Sequence, residues 1–153
     1  MQIQGMHHFT IRTALLEETT EFYQRVIGLE VGERPNFGFP GRWLYAGAEP
    51  ILHLVYQPND RAVVALNHYL GEHTNMNGSG AIDHIALRGT DLNKMQCHLS
   101  RLSHVRFQER IVPDLQEHQL FLHDPNGITI EVIFPYSADN RIVGESLTSF
   151  KLR

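Results

Sequence analysis

Apolar and polar positions alternate over Gly5–Thr13, with β-branched residues enriched, and this period of two predicts a strand. The period then changes. Leu15, Leu16, Thr19, Phe22, Tyr23, Val26 and Ile27 recur at helical spacing, and Glu17, Glu18 and Glu21 load the first half with negative charge. Gly28 is a natural stop, so a helix is expected over Leu15–Ile27. Leu29–Glu33, Arg42–Ala46 and Ile51–Gln57 read as three more strands, separated by the turn-rich stretch 34–41 and the turn Gly47–Pro50. The connection Pro58–Gly80 is long, with one candidate helical turn at Val63–Leu70; such a length marks a linker or a lid.

After this connection the pattern restarts. Ala81–Arg88 reads as a strand, and Leu92–Leu102 as a helix with Asp91 as N-cap. Arg106–Ile111, His118–His123 and Ile128–Phe134 read as strands, the last two joined through Asp124, Pro125, Asn126 and Gly127, with Asn-Gly as a hairpin signal. Beyond Pro135 no period is visible, and the tail is expected to be an arm or a dimer contact. The chain therefore reads as α+β, a single domain of two βαβββ modules: about 5–57, a linker 58–80, about 81–135, and a tail 136–153. Residues 6–12 align with 82–88 at an offset of 76, and residues 51–55 with 129–133 at an offset of 78.

Strand parity sorts the side chains into two faces. Phe9 and Ile11 oppose Met6, His8, Thr10 and Arg12; Ile85 and Leu87 oppose Ile82, His84, Ala86 and Arg88. Leu52, Leu54 and Tyr56 oppose Ile51, His53 and Val55; Ile130, Val132 and Phe134 oppose Thr129, Glu131 and Ile133. Each module thus has an apolar face for its helix and an opposite face with one metal-capable residue on its first and last strands. Curving the two sheets together would gather His8, His53, His84 and Glu131 around one cation. Three imidazoles and a carboxylate suit Fe, Ni, Zn, Co or Mn better than Ca or Mg. Singly, each residue has a plainer reading: a strand histidine is usually exposed or hydrogen-bonded, as His7 is expected to be, and Glu131 could be an edge-strand charge. Their matched places in a repeat favour the metal.

Composition narrows the function classes. With 42% hydrophobic and 20% charged residues in 153, a packed globular chain is expected. A net charge of −4 without a Lys/Arg run disfavours nucleic acid and anionic membrane as partners. No apolar run reaches the roughly 20 residues of a bilayer span, and no signal peptide is visible. A lone cysteine, Cys97, forms no internal disulfide; a cytoplasmic location is the simplest expectation.

The runs Met6–Arg12, Phe22–Leu29, Ile82–Ala86 and Phe121–Glu131 resemble the vicinal-oxygen-chelate superfamily, also called the glyoxalase / bleomycin-resistance / extradiol-dioxygenase family, over about residues 5–135. The resemblance implies paired modules in a cupped mixed sheet, one divalent transition metal, a small-molecule substrate chelating it through vicinal oxygens, and often a homodimer. By position, His8, His84 and Glu131 match metal ligands of that family. His53 occupies the place where its members put Glu, Gln, His or a non-ligand. Glyoxalase I-type lyases carry there a carboxylate that also serves as base, and extradiol dioxygenases use only the other three. Two enzymatic expectations follow: a lyase or isomerase in which His53 or another polar residue lining the cup moves the proton, or a ring-cleaving dioxygenase using Fe(II) and O2 with His53 as acid/base. A third is a metal-free drug-binding resistance protein. Phe37, Phe39, Trp43 and Tyr45 are expected to wall the cup or to be core, and Arg12 or Arg88 to meet an anionic substrate group or lie at a strand end.

Overall fold

A computed structural model describes residues 1–73 and 75–147. The chain divides into two compact units, Met1–Asn77 and Gly78–Arg153.

The first unit runs β1 (Phe9–Thr13), α1 (Leu16–Phe22), β2 (Glu30–Gly32), β3 (Gly41–Ala46), β4 (Glu49–Tyr56) and α2 (Val64–Leu70). Its four-stranded sheet has the order β1-β4-β3-β2, with β1 parallel to β4 and the other pairs antiparallel. The expected strand Gly5–Thr13 is shorter than its alternation implies. The ladder with β4 starts at Phe9 opposite Leu52, so His8 stands one residue ahead of the strand. The expected helix Leu15–Ile27 is α-helical only to Phe22. A wide turn, Tyr23–Ile27, follows, because the Gly28 and Leu29 N–H groups both reach back to the Tyr23 carbonyl. Gly28 takes φ 91°, a left-handed value that glycine adopts without a Cβ clash. Leu16, Thr19, Tyr23 and Val26 are buried, as are Ile11, Leu52 and Leu54 on the apolar face of β1 and β4.

The second unit repeats the order with β5 (His84–Arg88), α3 (Leu92–Arg101), β6 (Gln108–Val112), β7 (Glu117–His123), β8 (Thr129–Pro135) and a two-residue strand β9 (Glu145–Ser146). Its sheet has the order β5-β8-β7-β6-β9, with β5 parallel to β8. Asp91 caps α3, its carboxylate accepting the Lys94 N–H at 2.9 Å. The β7–β8 turn is built on Asp124, which accepts the N–H groups of Asn126 and Ile128 at 2.8 and 2.9 Å, while Gly127 takes φ 78°. The fold is thus the expected α+β pair of βαβββ repeats, and within the strands the apolar face is buried where expected, with Ile11, Leu52, Leu54, Ile130, Val132 and Phe134 out of solvent. Met6, His8 and Ile82 lie ahead of their strands, and Val55 and Glu131 are buried on the opposite face. Among the described residues no helix is long and apolar enough to cross a membrane.

The tail departs from a free arm at residues 145–146. Residues 145–146 add to the edge of the chain's own sheet beside β6; residues 148–153 lie outside the described residues. Sequence patterning misses this return because a buried polar cluster, not an apolar stripe, secures it. Glu109, wholly buried on β6, accepts His118 Nε2 at 2.5 Å and Gln96 Nε2 at 2.7 Å on one oxygen. Its other oxygen accepts the N–H groups of Val143 and Gly144 at 2.9 and 2.6 Å. Glu109→Leu takes the partner from buried His118 Nε2 and frees the Val143 and Gly144 N–H groups, while Gln96 keeps the Arg141 carbonyl, and the expected cost is about 3–5 kcal/mol in urea unfolding. An unchanged midpoint would show that the cluster contributes no stability.

Candidate metal centre

The parallel ladder that closes each unit places its donors. In the first, Thr10 lies opposite His53; in the second, Ala86 lies opposite Glu131. These are equivalent positions of the repeat, so His8 and His84, each two residues earlier, become diagonal neighbours of the donor on the last strand. Diagonal neighbours share a face and lie within side-chain reach.

In the first unit the His8 and His53 rings stack, centroids 3.9 Å apart and planes 20° from parallel. Trp43, opposite His53 on β3, covers the other side of that ring at 4.0 Å and 6°. His53 is thus held between two flat rings and hydrogen-bonded to the Pro50 backbone. Proline has no N–H, so the ring must donate to the Pro50 carbonyl. The remaining nitrogen, Nε2, is buried without a partner and carries the lone pair. Burial, and then the neighbouring charge of His8, push the His53 pKa down to about 4. At neutral pH this is an imidazole ready to donate an electron pair. His7 Nδ1 lies 2.7 Å from His8 Nδ1, with both residues exposed.

In the second unit His84 Nε2 lies 2.9 Å from Glu131 Oε2, and His84 Nδ1 lies 2.9 Å from Asp83 Oδ1. With Nδ1–H given to Asp83, Nε2 and the carboxylate face each other as two acceptors. A shared proton or a cation must lie between them. Burial raises the Glu131 pKa, and the neighbouring His84 opposes that shift. Glu131 Oε1 is buried with no partner. Within each unit one buried donor atom is bare, His53 Nε2 in the first and Glu131 Oε1 in the second, and imidazole nitrogens and a carboxylate are atom types that suit a divalent transition metal. Among the described residues no three His, Cys, Asp or Glu side chains are grouped for a metal; the donors come in pairs, one in each unit.

The other expected site residues divide. Trp43 is part of the stack. Phe39 is buried in a small core with Val55 and Leu66, flanked by Phe37 and Val63. Tyr45 donates its hydroxyl to the Glu33 carbonyl at 2.8 Å, and its ring lies over Gly32, where a Cβ would collide with it. Arg12 is spent on the fold: its guanidinium donates to Gln57, Asn67 and the Gly71 carbonyl at 3.0, 3.1 and 3.0 Å, tying α2 to the strand ends. Arg88, at the end of β5, is exposed. Residues that patterning did not single out also border the donors. Asp83 orients His84. Arg34 lies over Phe37 and Phe39, and Arg110 over Phe121. The offset of 76 maps Arg34 onto Arg110 and was a usable signal in the sequence.

Two βαβββ units, each with a donor pair beside its parallel ladder, define a protein of the paired-module α+β class. A model of the Glyoxalase/Bleomycin resistance protein/Dioxygenase superfamily matches residues 5–132, and the chain belongs to that superfamily. "Glyoxylase I 4" of Arabidopsis thaliana is 25% identical over 135 residues, covering 86% of this chain and 71% of the relative. A lactoylglutathione lyase from Agrobacterium tumefaciens has the same fold at 18% identity and a TM-score of 0.61, covering 86% of this chain and 94% of that one. So does an antibiotic binding protein from a Streptomyces species, at 21% identity and 0.55, covering 88% and 98%.

Titration of the metal-free protein followed by NMR is expected to show the His53 ring neutral down to about pH 4. The unfolded ring takes a proton near ~6.5 and the folded ring does not. This histidine therefore removes stability as pH falls from about 6.5 to about 4, and Trp43→Ala moves its midpoint back upward. A His53 midpoint near that of an exposed histidine contradicts the stacked geometry.

Proposed function

We propose that His8, His53, His84 and Glu131 together hold one divalent transition metal, and that the two modules act as one domain. The chain would then be an enzyme of the lyase/isomerase kind acting on a small molecule with two adjacent oxygens. The observation that carries this reading is the repeated register: the last strand carries His53 in one unit and Glu131 in the other at equivalent ladder positions, and each has a histidine two residues before its ladder partner, His84 at the start of β5 and His8 one residue ahead of β1. When bound, such a metal lowers the cost of negative charge developing on the substrate oxygens.

The chain's own groups supply the rest. Asp83 fixes the tautomer of His84 through Nδ1, leaving Nε2 as donor. Trp43 and His8 keep water off both faces of the His53 ring and hold its orientation. His53 Nε2, neutral at physiological pH and otherwise bare, is the chain's proton acceptor if it stands outside the ligand set, and a fourth ligand if within it. The ring-cleaving dioxygenase reading needs only His8, His84 and Glu131 as ligands to Fe(II), with His53 beside the substrate. A metal-free drug-binding role has one observation of its own: the His8–His53–Trp43 stack is a ready aromatic surface, and an antibiotic binding protein shares the fold. A small-molecule substrate and a cytoplasmic homodimer belong to the same proposal.

Elemental analysis of protein purified without added metal is expected to give about one transition-metal ion per chain. His84→Ala and Glu131→Ala should each lower affinity at least about ten-fold. Metal titration in two buffers of different ionisation enthalpy should show proton release from the His84–Glu131 pair. Retention of metal by His53→Ala makes His53 the proton acceptor; loss makes it a ligand. Wild-type protein that takes up no transition metal overturns the reading and leaves the drug-binding one.

A further inference from the structure

Arg34 stands in the loop between β2 and β3, and its guanidinium carbon lies 5.0 Å from the centre of both the Phe37 and the Phe39 rings. Gly41 makes room for it: a Cβ there would meet Arg34 Nε and Nη2 at 3.2 Å and collide with the Leu54 carbonyl. Gly41 and Trp43 share one face of β3, and Trp43 stacks on His53. The guanidinium therefore lies on the donor face, one side-chain position along the strand from Trp43, and its charge is felt at His53.

Among the described residues this cation has no counter-ion of its own. Nη2 donates to the Phe39 carbonyl at 3.0 Å, Nη1 makes only a 3.4 Å approach to the Pro35 carbonyl, and Nε is buried without a partner. Among the described residues no carboxylate pairs with it. A half-buried guanidinium over two aromatic rings is costly to leave unpaired. The repeat shows the contrast. Glu33-Arg34 recurs as Glu109-Arg110 at the same offset of 76, and Arg110 also lies over a phenylalanine, Phe121. There Nε donates to Gln119, which is itself bonded to the Glu117 carboxylate at 2.6 Å. At Nε one arginine is answered by a side-chain acceptor of the chain, and the other is not.

We propose that Arg34 is the anion-recognition residue of the substrate site, so that the substrate carries a carboxylate or phosphoryl group beside the part received at His8 and His53. This rests on the reading of that face as the substrate site. It does not rest on metal chemistry, so the two fail separately.

Trp43 is the sole tryptophan, so its fluorescence reports this face directly. Metal-free protein at pH 8 is titrated with benzoate, phenyl phosphate and neutral benzamide. Saturable binding of at least one anion, about ten-fold tighter than benzamide, is expected; which anion is preferred distinguishes carboxylate from phosphoryl recognition. Arg34→Met keeps the packing over Phe37 and Phe39 and should abolish that preference while leaving benzamide binding unchanged and the thermal midpoint no lower than that of the wild type. Arg34→Lys should recover only part of it. His84→Ala, made to lose the metal, should keep the preference. Equal binding of benzamide and both anions, no saturable anion binding, or an unaltered preference in Arg34→Met overturns the proposal. Absence of metal with the preference intact overturns only the metal reading.

Discussion

The parallel pairing of first and last strands is the constraint on which the chemistry of each unit depends. Thr10 opposite His53, and Ala86 opposite Glu131, bring the preceding histidine onto the same face as the donor of the closing strand. A slip of one residue would turn every side chain of the strand to the other face, burying the donors under the helix and exposing Leu52 and Leu54, or Ile130 and Val132. The apolar face therefore protects the donor face. Register is enforced by the buried leucines, isoleucines and valines, and the histidines and glutamate are carried to their places by it.

Two buried glutamates in the second unit show how structure and function separate. Glu109 is saturated: a histidine, a glutamine and two backbone N–H groups satisfy both oxygens, and the result is a tail bound to its own sheet. Glu131 has one oxygen against His84 and the other bare, although it is nearly as deeply buried. A carboxylate with its acceptor sites filled by the chain is a fastener. One held out of water with an unfilled site is poised for a partner from outside. His53 and His118 each keep one buried ring nitrogen without a partner, but His118 is tied to the Glu109 carboxylate through the other, whereas His53 is pressed between two rings.

The arginines divide by the same criterion. Arg12, on the expected parity with the donors, spends three hydrogen bonds on α2 and its neighbours. Arg34, in a loop whose position no period reveals, is brought over Gly41 by the packing of Phe37 and Phe39. Fold similarity alone does not choose among functions, since a lyase and an antibiotic binding protein share this architecture. The choice lies in which polar atoms the chain leaves unmatched.

Alternation and helical spacing were sufficient for the two βαβββ repeats, the helix stops, the Asp91 cap, the Asp124–Gly127 turn and the face on which each donor lies. All of these are local: a strand's parity and a turn's φ requirement are set by a handful of neighbouring residues. Only the tertiary structure decided the stacking of His53 between His8 and Trp43, the sharing of Glu131 with His84, the commitment of Arg12 to α2, and the return of residues 145–146 to the sheet edge. Each of these joins residues far apart in the chain through directional polar or ring contacts. Such contacts leave no period in the sequence, because a hydrogen bond or a stacked ring needs one partner at one position and not a stripe of them.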